Sequence, residues 1–188
     1  MIVSVAEDTG GVKDAGQWIA AAKPEYTALI DDKHLVTHLY NMVNVPTVVW
    51  IDERGRIVRP NDVAFGTDTF RQITGIEAAR HLGALRAWVR GEVPEMPAER
   101  VRALQSLPTS ADQQARAEFG LGQWLHEQGR ADAAARHFVT AGELAPHDFM
   151  IRRGTMPIRG IDSMGPQFRS MLQEWTAAGN PYYRPLPE

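Results

Sequence analysis

The stretch 47–59 constrains the fold more than any other part of the chain. Thr47-Val48-Val49-Trp50-Ile51-Asp52 is rich in β-branched and aromatic residues, the composition of a half-buried strand. Glu53-Arg54-Gly55 interrupts it, with Gly55 suited to a positive φ, and Arg56-Ile57-Val58-Arg59 returns as a second run. The pair predicts an antiparallel hairpin. Pro46 stands just ahead of it, where a missing N–H begins a strand rather than breaking one.

Around the hairpin the pattern is mixed. Residues 2–6 predict a buried strand that closes at Glu7-Asp8-Thr9-Gly10-Gly11. Val12, Ala15, Trp18, Ile19 and Ala22 recur at helical spacing, and Pro24 ends that helix. Asp31-Asp32 suits the cap of a second, short helix with Leu35, Val36, Leu39 and Tyr40 on its apolar face. Residues 60–75 read mostly as loop, and 76–90 as an amphipathic helix through Ala79, Leu82, Leu85 and Val89, stopped by Gly91.

Gly91-Glu92-Val93-Pro94-Glu95-Met96-Pro97 has the composition of a linker. It divides the expected organisation into an α/β domain over 1–91, a linker over 92–97 and a helical domain over 98–188. Helices are expected at 98–107, 112–128, 131–145 and 166–177. The tail over 180–187, with Tyr182 and Tyr183 among its prolines, reads as an extended strap ordered by docking of its tyrosines.

Composition excludes several classes of function. The 188 residues include no cysteine, which removes disulfide scaffolds, zinc–thiolate sites, iron–sulfur clusters and thiol nucleophiles from this chain. A net charge of −3 gives no broad basic field, so no nucleic-acid partner is expected. No apolar run reaches the roughly 18–20 residues of a membrane span, and the first residues lack a signal peptide's basic start. A cytoplasmic setting with no membrane partner is the expectation.

The first ninety residues resemble the later part of a thioredoxin fold of the TlpA/ResA type. The resemblance is carried by Val3-Ser4-Val5-Ala6-Glu7-Asp8, Leu29-Ile30-Asp31-Asp32, Tyr40-Asn41-Met42-Val43-Asn44-Val45-Pro46-Thr47, and Ile51-Asp52-Glu53-Arg54-Gly55-Arg56-Ile57-Val58. It implies a cis-proline at Pro46 and a ledge at Val45, Pro46 and Thr47 whose backbone receives an extended substrate segment. It also implies kinship with thiol- or selenol-disulfide and peroxide oxidoreductases, with no cofactor.

The family places a strand and a Cys-bearing helix before the strand assigned here to 2–6. That first βα unit is not in this sequence, so the expected fold is an incomplete thioredoxin-like α/β domain. Its strands at 2–6 and 47–52 would lack a shared neighbour. Three explanations are open: loss of chemistry in a degenerate protein, a fragment of a longer chain, or a gene start placed after a selenocysteine codon. The last fits a ResA-like family with a Trp-Ala-x-x-Sec-Gly-Cys motif, and truncation is the favoured reading.

Residues 115–148 resemble one tetratricopeptide (TPR) repeat through Leu121-Gly122, Gly129, Ala134, Phe138, Ala141 and Pro146. Glu118 and Leu125 depart from its aromatic positions. The whole is therefore expected as an α/β thioredoxin-like part followed by an all-α TPR-like region, whose face either receives a partner peptide or caps the first domain.

Other candidates favour structure over chemistry. His34 and His38 stand one helical turn apart, but no third metal ligand is apparent, and partly exposed helix histidines are the expectation. Asp31-Asp32 and Asp52-Glu53 suit caps and turns. Residues 151–160 read as a loop whose Arg152, Arg153 and Arg159 pair with an acidic surface. Trp18, Trp50, Trp88, Trp124 and Trp175 read as core. No catalytic residue and no metal ligand are assigned. Two functions remain: a redox-inactive relative of the oxidoreductases, or a non-catalytic adaptor for a protein or peptide. Unpaired strand edges further point to homodimers or aggregates.

Overall fold

The computed structural model describes residues 1–183, with every side chain but that of residue 73. In chain order the elements are β1 (Val3–Ala6), α1 (Val12–Ala22), β2 (Thr27–Ile30), α2 (Leu35–Leu39), β3 (Thr47–Ile51), β4 (Ile57–Val63), α3 (Arg71–Thr74), α4 (Ala78–Val89), α5 (Ala98–Leu104), α6 (Ser110–Glu127), α7 (Ala131–Leu144), α8 (Phe149–Ile158) and α9 (Pro166–Ala177). They form two compact units. Met1–Asn44 with Pro108–Tyr182 makes the first, and Val45–Leu107 with Tyr183 makes the second. Residues 92–97 thus run inside the second unit. There Asn61 N donates to Gln105 Oε1 at 3.1 Å, tying the end of α5 to β4.

In the first unit β1, α1 and β2 form a parallel crossover. Val3 pairs with Thr27 and Ala6 with Ile30, and Asp31 N donates to Ala6 O at 2.9 Å, extending the ladder by one bond. The strand at 27–30 is not foreseen in the sequence, where Thr27-Ala28-Leu29-Ile30 is too short to declare a period. α2 is turned over relative to its expected apolar face. Leu35 and Leu39 are 60% and 72% exposed, while His34 and Thr37 are buried.

The helical part of this unit begins at a capping box. Asp112 N donates to Thr109 Oγ1 at 3.2 Å, and Thr109 N donates to Asp112 Oδ2 at 2.7 Å. Ala115, Phe119, Leu125, Ala134, Phe138, Ala141, Ala145 and Ile151 form its core across α6, α7 and α8. Residues 149–158 are a helix rather than the expected loop, because Asp148 caps it by accepting from Ile151 N at 3.1 Å. Among the described residues its arginines form no salt bridge, although the Glu174 carboxylate acts on Arg152 from α9. Arg152 donates to Pro146 O and lies 5.7 Å from the Phe149 ring centre, and Arg153 lies 4.9 Å from that of Phe168. Tyr182 docks edge-on to Phe149, centroids 4.7 Å apart; residues 184–187 of the expected strap lie outside the described residues.

In the second unit β3 and β4 form the expected antiparallel hairpin, with Thr47 opposite Val63 and Ile51 opposite Ile57. Its turn is held by Asp52, which accepts from Arg54 N, Arg56 N and the Arg56 guanidinium. Irregular register around Trp50 lets β4 run through Pro60, past its expected end. Trp50 is buried, stacks on Trp88 at 5.2 Å and carries the Arg59 guanidinium at 5.0 Å. Not all tryptophans are core, however: Trp18 is 72% and Trp124 52% exposed. Each sheet has two strands, and no strand borders the other edge of β1 or of β3 among the described residues.

Candidate functional site

The Val45-Pro46-Thr47 segment opens β3 in the second unit. All three residues are half-buried, and the Val45–Pro46 peptide bond is cis. Thr47 is the first ladder residue of β3. The Val45 carbonyl accepts a hydrogen bond from the Tyr183 hydroxyl at 3.2 Å, and the Tyr183 ring meets Phe65 edge-on at 6.0 Å. The segment is thus a short run of backbone with an aromatic residue seated on one of its acceptors.

A second constellation lies inside the first unit, at the carboxyl ends of the two parallel strands. Glu7 follows β1 and Asp31 follows β2, so the ladder register sets them side by side. His34 stands at the N-cap of α2 in the left-handed region, φ 56°. Its Nδ1 lies 4.0 Å from Glu7 Oε2, and the two side chains are only 2% and 3% exposed. Phe119 of α6 meets the His34 ring edge-on at 5.2 Å. From α8, Gly154 admits the imidazole: a Cβ at 154 would stand 3.5 Å from His34 Cε1. Thr9 Oγ1 donates to the Gly154 carbonyl at 3.1 Å.

Segment 31–44, which carries α2, is anchored on all sides. Asp31 Oδ2 accepts from Val36 N at 2.6 Å, Gln123 Nε2 donates to Asp32 O at 3.0 Å, and Phe149 N donates to Val43 O at 2.8 Å. Arg116 donates to His38 O at 3.2 Å and to Asn41 Oδ1. Yet Glu7 Oε1 and Oε2, both His34 ring nitrogens and His38 Nε2 are buried without a hydrogen-bond partner. Their protonation states follow from that burial. Burial, reinforced by the Asp31 carboxylate, pushes Glu7 up to about 8. Burial lowers His34 against the pull of Asp31, Asp8 and Asp32. Burial, with Arg116 and His34 nearby, takes His38 down to about 4.

No group of three or more potential metal ligands comes together among the described residues. The helical spacing of His34 and His38 is real, but His34 is buried rather than partly exposed. The Glu7–Asp31–His34 cluster was not legible in the sequence. Its one signal is that acidic residues directly follow two runs that prove to be adjacent parallel strands.

A third feature is an open groove of about 390 Å³ across α7, α8 and α9. Phe138, Met156 and Met171 line it together with Arg152, Arg159 and Glu174. No helix among the described residues is long and apolar enough to cross a membrane. Compared with protein-family models, curated proteins and solved structures, the chain matches none.

Proposed function

We propose that this chain is a thioredoxin-like protein of the TlpA/ResA type with a TPR-like helical region, related to thiol- or selenol-disulfide and peroxide oxidoreductases. The observation that carries the reading is the order of elements. A parallel β1–α1–β2 crossover is followed by α2, by Val45-Pro46-Thr47 opening the β3–β4 hairpin, and by α4. Parallel strands are ordinarily embedded in larger sheets with both faces covered, so a two-stranded parallel pair calls for a further strand. In the family that this order resembles, such a strand leads into the redox motif, which lies beside the proline matching Pro46.

This chain supplies the ledge and not the nucleophile. Disulfide exchange requires an attacking thiolate, and the sequence has no cysteine. Its own contribution is to bind and orient an extended segment of a protein substrate, with no cofactor. The proposed lack of a nucleic-acid partner rests on the net charge of −3.

The coding DNA ahead of the Met1 codon tests the reading. An in-frame Trp-Ala-x-x-(Sec or Cys)-Gly-Cys run supports it. Unrelated sequence there overturns it and leaves the second reading, an adaptor without catalysis. The groove across α7, α8 and α9 favours that alternative, because its apolar floor and charged rim suit a peptide.

A further inference from the structure

We propose that Glu7 keeps its proton beside Asp31 at the ends of β1 and β2, and that loss of this proton loosens segment 31–44, making Glu7 a pH-operated latch. The geometry dictates which carboxyl keeps the proton. Asp31 already accepts the Val36 amide, at 2.6 Å. Glu7, 3% exposed, has no donor at either oxygen. Of two carboxyls side by side, the one buried without a donor lacks solvation and is repelled by its neighbour, and so keeps its proton. Glu7 is that one, and its raised pKa, about 8, has the same two causes.

The groups facing this pair come from every element packed on it. His34 adjoins Glu7; Asp8, Asp31 and Asp32 act on His34; His38 adjoins His34, and Arg116 of α6 adjoins His38. α6 also presents the uncharged Phe119, and α8 presents Gly154. Both histidines are lowered from 6.5, so their effect on opening falls below that pH. Between pH 6.5 and 8 the Glu7 proton is left as the changing term.

The hydrogen bonds that hold the element work against local backbone strain. Segment 31–44 holds two non-glycine residues in the left-handed region, His34 at φ 56° and Asn41 at φ 50°, and its short helix buries polar rather than apolar side chains. Opening exposes Glu7 to water, where its ordinary value is 4.5, and the proton passes to solvent base. A carboxyl raised in the closed state favours closure at low pH and loses that advantage as pH rises through its closed-state value. Opening therefore increases with pH up to about 8 and levels off above it.

Amide exchange on the full chain reads this directly at Val36, His38, Tyr40 and Met42. Their protection factors are expected to fall about 15-fold between pH 6.5 and 8 in the wild type, a slope of tenfold per pH unit for one linked proton that flattens as pH reaches the closed-state value. In Glu7→Gln they should stay flat, as should the α7 amides in both proteins. A flat wild-type profile, or an equal fall in Glu7→Gln, overturns the latch. Should Glu7→Gln fail to fold, the ¹³C titration of the Glu7 carboxyl in the wild type decides: a midpoint near 8 supports the retained proton, and one near 4.5 refutes it.

Discussion

Gly122 of α6 lies against the ring of Phe138 of α7 so closely that a Cβ at 122 would stand 2.6 Å from Cε1. The ring has little room to yield, being 3% exposed and packed on Phe119, which is fully buried. Gly122→Ala gains up to about 1 kcal/mol of helix propensity but incurs an overpacking cost of about 1–3 kcal/mol. A net loss of stability in urea melts is expected. Gly122→Ala combined with Phe138→Leu should lose less than the sum of the two single changes, since the second makes room for the first.

Asp148 offers a test with a definite sign. It caps α8 through Ile151 N, and burial pushes it up to about 6. A raised carboxyl favours the folded state below its ordinary 3.8 and loses that contribution as pH rises through about 6. Asp148→Asn keeps the acceptor without the charge. It should therefore gain on the wild type between pH 5 and 7.5, whereas Asp148→Ala should lose about 1–2 kcal/mol at pH 5 through loss of the cap. Urea midpoints at the two pH values check both statements.

His38 runs the other way. Its lowered value means that the folded state resists protonation, so stability present above pH 6.5 drains away as pH falls through about 4. In His38→Leu the decline between pH 6.5 and 4 should be shallower than in the wild type. Parallel declines in the two proteins would show that other groups carry the acid sensitivity.

These sites differ in how far the sequence announced them. The hairpin was legible because Val48, Val49 and Trp50 lie in one β-rich run closed by a turn at Gly55. α2 was not. A hydrophobic pattern assigns Leu35 and Leu39 to the core, whereas tertiary packing buries His34 and Thr37. α8 was hidden for a related reason: Gly154, Pro157 and three arginines look like loop, and what makes the segment helical is the cap at Asp148 and burial of Phe149, Ile151 and Met156. The Glu7–Asp31 contact depends on the register of two strands, one of which the sequence does not announce.

Strand edges give a fourth expectation. Ile2 and Val3 at β1 are 61% and 45% exposed, and Ile51 at the end of β3 is 42% exposed. Exposed apolar strands recruit further strands. Sedimentation of the full chain should show association that grows with concentration, and Val3→Lys should reduce it. A single monomeric species over a hundredfold concentration range would count against open edges.

The most direct test of the thioredoxin-like reading supplies what this chain lacks. A strand and helix carrying Trp-Ala-x-x-Cys-Gly-Cys, joined ahead of Met1, should yield a protein that reduces insulin disulfides with dithiothreitol as donor. The same protein with both cysteines changed to serine should match the blank, as should 1–188 alone. A folded extended protein with two titratable thiols and no turnover above the serine control would contradict the reading.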